Sequence, residues 1–405
     1  MPHVLYVVHP DHGHVVPTVA VVGALRQRGH RVSYLTGPRT AGIVRDAGAE
    51  VVEYPSEYRD HDFGRSAVEL DYLMSVLLRE SSLMLGEARA AFDDDVPDVV
   101  VYDTSVLFCG RALARVWDVP AVQLIPMFAS NAYFSYLRAI GAEEHGGVLP
   151  ESESAPRWID PFLVAVAEVL AVHGVDEDPA ALWWATAEST IVTMPRELQP
   201  AGETFGAEFE FVGPCLGDRS YLGSWEAGDD SRPLALVSLG AVFNDHPEVF
   251  RMCMEAFRDT RWRVVMTTAD ALDPAELDDV PGNVELHRWV PHLDVLAHAE
   301  VAVTHGGMGT VLEALATATP MVVTATSAMD RVTGRRVAEI GVGLDLDLAD
   351  LDAERLARAV EQVSGPDFRR GAARLADRIS RAGGTERAAG VIDAAASRRT
   401  AASRS

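Results

Sequence analysis

The chain contains no lysine, so its 35 basic residues are all arginines, and against 60 acidic residues they leave a formal net charge of −25. A surface of that sign repels nucleic acid and anionic lipid, which argues against both as partners. It also supplies no general positive field for a dianionic ligand, which must then be held by local dipoles. Cysteine is scarce: Cys109, Cys215 and Cys253 are odd in number, widely spaced and without a CxxC pair. They are expected as buried thiols in a reducing, cytoplasmic setting. Long apolar runs are missing as well. The most apolar late stretch, 161–172, is too short to span a bilayer and carries Glu168, and the chain opens directly into a strand with no basic segment ahead of it. Neither a membrane span nor a signal peptide is expected.

What is present is a hydrophobic content of 48% over 405 residues, enough for two cores and more than one domain would use. The chain is organised around 289–313, WVPHLDVLAHAEVAVTHGGMGTVLE. Val301 to Thr304 read as a short buried parallel strand, His305 to Gly309 as a tight loop, and Thr310 to Thr317 as the start of a helix. In open α/β sheets a corner of this kind is where ligands bind. Gly306, Gly307 and Gly309 remove side chains, so an anion can approach backbone N–H groups that carry the positive end of the helix dipole. A turn alone needs fewer glycines. Glu313, one turn along the helix, can accept hydrogen bonds from vicinal hydroxyls of a sugar, and Trp289 can stack on a planar base. The three together describe a nucleoside-diphosphate pocket.

A second strand–loop–helix corner opens the chain. Val4 to Val8 form the strand, the loop is HPDHGH, and a helix starts at Pro17 and stops near Gly29. The loop lacks GxGxxG, which weakens a nicotinamide or flavin reading. A histidine at the mouth of a sheet is suited to take a proton near neutral pH. Asp103, just past the strand 98–102, lies on the same rim, where it can orient an imidazole or else cap the helix 105–117. The run Asp93 to Asp95 precedes its strand instead of following it, so it is expected as a solvated loop and no metal site is predicted. Large side chains crowd 127–185, among them Phe128, Tyr133, Phe134, Tyr136, Trp158, Phe162, Trp183 and Trp184; most are expected in packing and a few along an apolar acceptor wall. Gly, Asp and Ser gather over 216–232, which marks the domain linker.

At these residues the chain resembles the antibiotic-type glycosyltransferases of actinomycetes, the macrolide and enediyne sugar transferases. The resemblance lies in Trp-Val-Pro at 289–291, the His-Gly-Gly loop, Glu313, ALATATP, HGHVVPT, and PDVVVYD followed by RALARVWDVPAV. It implies an α/β protein of GT-B fold, two Rossmann-like doubly wound domains facing a cleft. The domains are expected over 1–215 for the acceptor and 233–382 for the nucleotide sugar, with a helix at 383–397 crossing back. It implies His12 as general base, oriented by Asp103, with His14 supporting the loop. Donor contacts are expected from Ser238, Gly240, Trp289, Val290, His305, Gly307, Met308, Gly309, Thr310, Glu313, Asp330 and Arg331. Acceptor contacts are expected from Tyr72, Met74, Phe128, Tyr133 and Phe134. Many relatives carry glutamine where this chain has Arg331 and His292. The expected activity is a metal-independent, inverting transfer of a sugar from a dTDP- or UDP-sugar to a hydroxyl of a hydrophobic aglycone, with no cofactor. An epimerase or hydrolase of the same fold, a non-catalytic helper, and pairing as a homodimer stay open.

Overall fold

The computed structural model describes residues 1–58, 70–144, 159–217, 220–240, 246–269 and 272–402. Trp158 and part of the linker lie outside them. In the first lobe the strands are β1 (His3–Val7), β2 (Arg31–Thr36), β3 (Glu50–Glu53), β4 (Val99–Asp103), β5 (Ala121–Ile125), β6 (Thr190–Val192) and β7 (Phe209–Phe211). The second lobe has β8 (Leu234–Ser238), β9 (Arg263–Thr267), β10 (Val284–His287), β11 (Ala299–Thr304), β12 (Met321–Val323) and β13 (Gly343–Asp345). All pairings are parallel. The central strands are continuous apolar runs, as strands covered on both faces must be.

Helices of the first lobe are α1 (His12–Gln27), α2 (Pro38–Asp46), α3 (Leu70–Phe92), α4 (Leu107–Trp117), α5 (Tyr136–Glu144), α6 (Ile159–Val172) and α7 (Pro179–Trp184). Those that follow are α8 (Pro247–Phe257), α9 (His292–Leu296), α10 (Met308–Ala316), α11 (Ala328–Glu339), α12 (Ala353–Val363), α13 (Pro366–Ala382) and α14 (Gly384–Ala402). The strand orders are β3-β2-β1-β4-β5-β6-β7 and β10-β9-β8-β11-β12-β13. Both sheets therefore reverse direction at their first strand, between β1 and β4 and between β8 and β11. Such a switch point opens a crevice at the carboxyl ends of the strands. Val7 pairs with Tyr102 and Ser238 with Thr304, so the loops that leave these strands start side by side.

An apolar seam joins the lobes, with Phe128, Tyr136, Ile140, Val192 and Met194 of the first in one cluster with Val290, Val311, Leu312 and Val332 of the second. The last helix belongs to the first lobe by packing: Ala388, Ala389, Ile392 and Ala396 share a core with Val15, Val22 and Leu25 of α1. Arg28 with Glu386 and His30 with Asp393 tie its rim to the end of α1 and the turn after it. Two expected boundaries move by five residues, while α10 starts at Met308 instead of Thr310 and Asp103 closes its strand instead of following it. The first helix begins at His12, with Pro17 inside it, because Asp11 caps the chain five residues earlier than Pro17 would. The tail after 397 continues α14 as far as Ala402.

Candidate functional site

At the first switch point Asp11 is the N-cap of α1, and its Oδ1 accepts from the Gly13 amide at 2.9 Å. His14 is then the third residue of the helix and turns inward. Its Nδ1 lies 2.8 Å from Asp103 Oδ2, while Asp103 Oδ1 accepts from the Ser105 amide at 2.7 Å. Asp103 is thus both cap and orienting carboxylate, and it is fully buried. Burial alone lowers the pKa of His14, but the Asp103 charge, its hydrogen bond and the Asp11 charge together outweigh that and raise it above the usual 6.5. The Nδ1–H held by Asp103 leaves Nε2 as the basic nitrogen. Behind His14 stands an aromatic stack, His9 edge-on at 5.1 Å and Tyr58 edge-on to His9 at 4.2 Å.

The carboxylate expected beside His12 is therefore hydrogen-bonded to His14. Two residues along an α-helix rotate the side chain by roughly 200°, so the two histidines face opposite ways. His12 turns across the cleft, where its ring lies against Trp289 with centroids 5.9 Å apart and planes at 18°.

At the second switch point Gly307 is the N-cap of α10, and among the described residues no side chain caps that terminus. The first amides of α10, at Met308, Gly309 and Thr310, head the helix. His305 occupies a slot made by glycines: a Cβ on Gly240 would come within 2.5 Å of its ring, and one on Gly307 within 2.4 Å. Gly240 at φ +86° and Gly306 at φ +103° also hold backbone that other residues adopt only with strain. The Nδ1 of His305 is buried without a hydrogen-bond partner among the described residues. Ser238 is buried at the end of β8, and Val290 is a core residue of the seam, with Met308 packed against it.

Glu313 lies 3.6 Å from His292 Nδ1, whose Nε2 is 3.2 Å from the Thr267 hydroxyl, so the histidine that departs from the glutamine of many relatives faces the expected ribose partner. Asp330 is largely spent on a capping box: its Oδ2 accepts from the Ser327 hydroxyl at 2.7 Å and amide at 3.2 Å, leaving Oδ1 at 4.0 Å from His305 Nε2. Arg331 turns toward the first lobe, 3.7 Å from Glu143, instead of into the donor corner.

The acceptor set does not form one wall. Phe128 is 2% exposed and packed edge-on to Phe134 and Tyr136, so it is core; Tyr133 is 78% exposed. Tyr72 is exposed, and Met74 lines a groove of about 720 Å³ between α3 and α6 with Leu78 and Phe162. Of the acidic run, Asp93 accepts from Trp117 Nε1 at 2.8 Å and Asp95 pairs with Arg31. Sequence reasoning missed Glu143, Thr267 and Tyr58, which no motif marks; the signal for His14 was Asp11 in cap position.

Comparison with known proteins fits this geometry. Residues 252–393 match the family described as "Erythromycin biosynthesis protein CIII-like, C-terminal domain". Demethyllactenocin mycarosyltransferase of Streptomyces fradiae is 35% identical over 97% of this chain and 86% of its own. The chain belongs to the antibiotic-type glycosyltransferases. A second relative of this glycosyltransferase, the NDP-glycosyltransferase YjiC of Bacillus licheniformis, is 34% identical over 95% of each chain. The crystal structure of CalG4, the calicheamicin glycosyltransferase, superposes at TM-score 0.83 with 38% identity, covering 98% of this glycosyltransferase and 99% of that chain. The two lobes are thus the two halves of a GT-B fold. Among the described residues of the glycosyltransferase no helix is long and apolar enough to cross a membrane.

Proposed function

We propose that this glycosyltransferase moves a sugar from a nucleoside diphosphate, dTDP or UDP, to a hydroxyl of a hydrophobic natural-product aglycone, with inversion and without a metal ion. The observation that carries the reading is the His14–Asp103 pair at one switch point facing, across the His12–Trp289 contact, an α10 terminus with no described side-chain cap at the other. His14 Nε2 takes the hydroxyl proton as the oxygen bonds to the anomeric carbon. The bond from that carbon to the diphosphate breaks in the same step, so the configuration inverts. Retention through a covalent intermediate would need a second nucleophile, and Asp103 already holds a donor on each oxygen. The departing diphosphate gains charge at the α10 amides and His305, where fixed dipoles stabilise it most.

Trp289 and Glu313 are read as the base and ribose contacts. A metal ion has no part in this scheme because the helix terminus supplies the electrophilic environment, and Asp93 and Asp95 of the acidic run are engaged by Trp117 and Arg31. His14→Ala and His12→Ala enzymes, assayed with a panel of nucleotide sugars and polyketide-like alcohols, decide the base: full transfer by His14→Ala removes the assignment. Activity lost to a chelator and restored by magnesium or manganese removes the metal-free reading. Donor turnover at an equal rate without acceptor points to hydrolysis instead.

A further inference from the structure

Two arginines of α11 meet one carboxylate of the opposite lobe. Glu143, near the end of α5, has its side chain only 7% exposed, and its Oε2 lies 2.8 Å from the Arg335 guanidinium and 3.7 Å from that of Arg331. The arginines are four positions apart, so they stand one above the other on a single face of the helix. A carboxylate so withdrawn from water is costly to leave unpaired, which fixes the height at which α5 and α11 meet. Arg336 makes a second attachment, donating to the carbonyls of Leu198 and Glu197 at 2.9 and 2.8 Å.

The position of that bridge matters because of what precedes it. Arg331 follows Asp330 directly, and Asp330 Oδ1 is 4.0 Å from Nε2 of His305, the histidine boxed between Gly240 and Gly307 at the head of α10. The bridge is not the only anchor of either helix. Tyr136 and Ile140 already bury α5, and the capping box with Ala328, Val332 and Val337 already anchors α11. We infer that Glu143 is a positioning residue for glycosyl transfer: by holding the first turn of α11 it sets the register between the donor corner of the second lobe and His14 of the first. The inference rests on the transfer reading above.

The test compares wild type, Glu143→Gln, Glu143→Arg, and Glu143→Arg combined with Arg335→Glu. Each is assayed for transfer with a donor and acceptor that wild type uses, for UDP and dTDP affinity by calorimetry, and for Tm. A slight misplacement of the reacting groups lowers the rate more than it lowers binding, so Glu143→Gln is expected to lose about tenfold in kcat while its nucleotide affinity stays within about twofold. Glu143→Arg is expected to be slower still, and the added Arg335→Glu to recover most of that loss; a merely structural role would instead lower nucleotide affinity and kcat together with Tm. A Glu143→Gln enzyme with wild-type kcat, a kcat loss that tracks Tm, or a Glu143→Arg loss that the charge swap does not recover overturns the inference. A wild-type protein that transfers from no nucleotide sugar overturns the transfer reading and this inference with it; an active wild type with indifferent variants overturns this inference alone.

Discussion

The two switch-point corners share one topology and are finished in opposite ways. At the head of α1 the chain supplies its own anion: Asp11 caps the helix, and the buried Asp103 lies beside His14. At the head of α10 it supplies glycine, and no described side chain caps the terminus. A helix N-terminus already answered by a carboxylate has little left for a phosphate, but the negative charge beside it raises the pKa of a nearby imidazole. One left open, with a histidine wedged between glycines, suits an incoming anion. On the proposed reading, the same strand–loop–helix unit serves proton transfer in one lobe and leaving-group stabilisation in the other.

The largest expected effect on this contrast comes from His14→Ala, which removes the proposed base and should lower kcat on the order of 10²–10⁴-fold with UDP or dTDP affinity unchanged. His12→Ala, measured alongside, should lose far less. Gly307→Ala places a methyl group where the His305 ring lies, so the ring must move from the head of α10, which should weaken nucleotide binding roughly 10–100-fold in calorimetry. Asp103→Asn takes away the charge that holds the His14 pKa up, so the acid limb of kcat/KM, which should lie above pH 6.5 in wild type, should move to lower pH in the variant. The same pair affects stability with a definite sign. Because the folded pKa is raised, its contribution is complete below the ordinary value of 6.5 and is lost as pH climbs through the folded value, and Asp103→Asn should flatten that part of the Tm–pH curve. The smallest effect is expected for Asp11→Ala, about 1 kcal/mol of stability from the lost cap, read by denaturant unfolding.

Much of this was legible in the residues. Continuous apolar runs such as VVVY and AVT could only be strands covered on both sides, and the His-Gly-Gly loop could only follow such a strand. Trp289, His305 and Glu313 were accordingly placed on the correct elements. The choice between His12 and His14 was not legible from the loop read as a loop. Placing the helix start at Pro17 left both histidines without a rotation angle, and only the Asp11 cap, by starting α1 at His12, turns one inward and the other across the cleft. Sequence position puts Asp330 and Arg331 in the donor corner; the capping box engages one oxygen of Asp330 and leaves the other 4.0 Å from His305, while Glu143, nearly two hundred residues away in the chain, draws off Arg331. Phe128 was read as a cavity wall because an aromatic-rich segment looks the same whether it lines a pocket or fills a seam between lobes.

Alone, the sequence determined the α/β layers and the chemistry available at each corner, because strand burial and glycine loops are local matters of pattern and backbone freedom, while the double winding of both sheets followed from the family resemblance. The tertiary structure decided which imidazole meets which carboxylate and which charges cross between the lobes. Those pairings depend on helix rotation and on the height at which two separately folded sheets are pressed together, and no stretch of chain carries that information by itself.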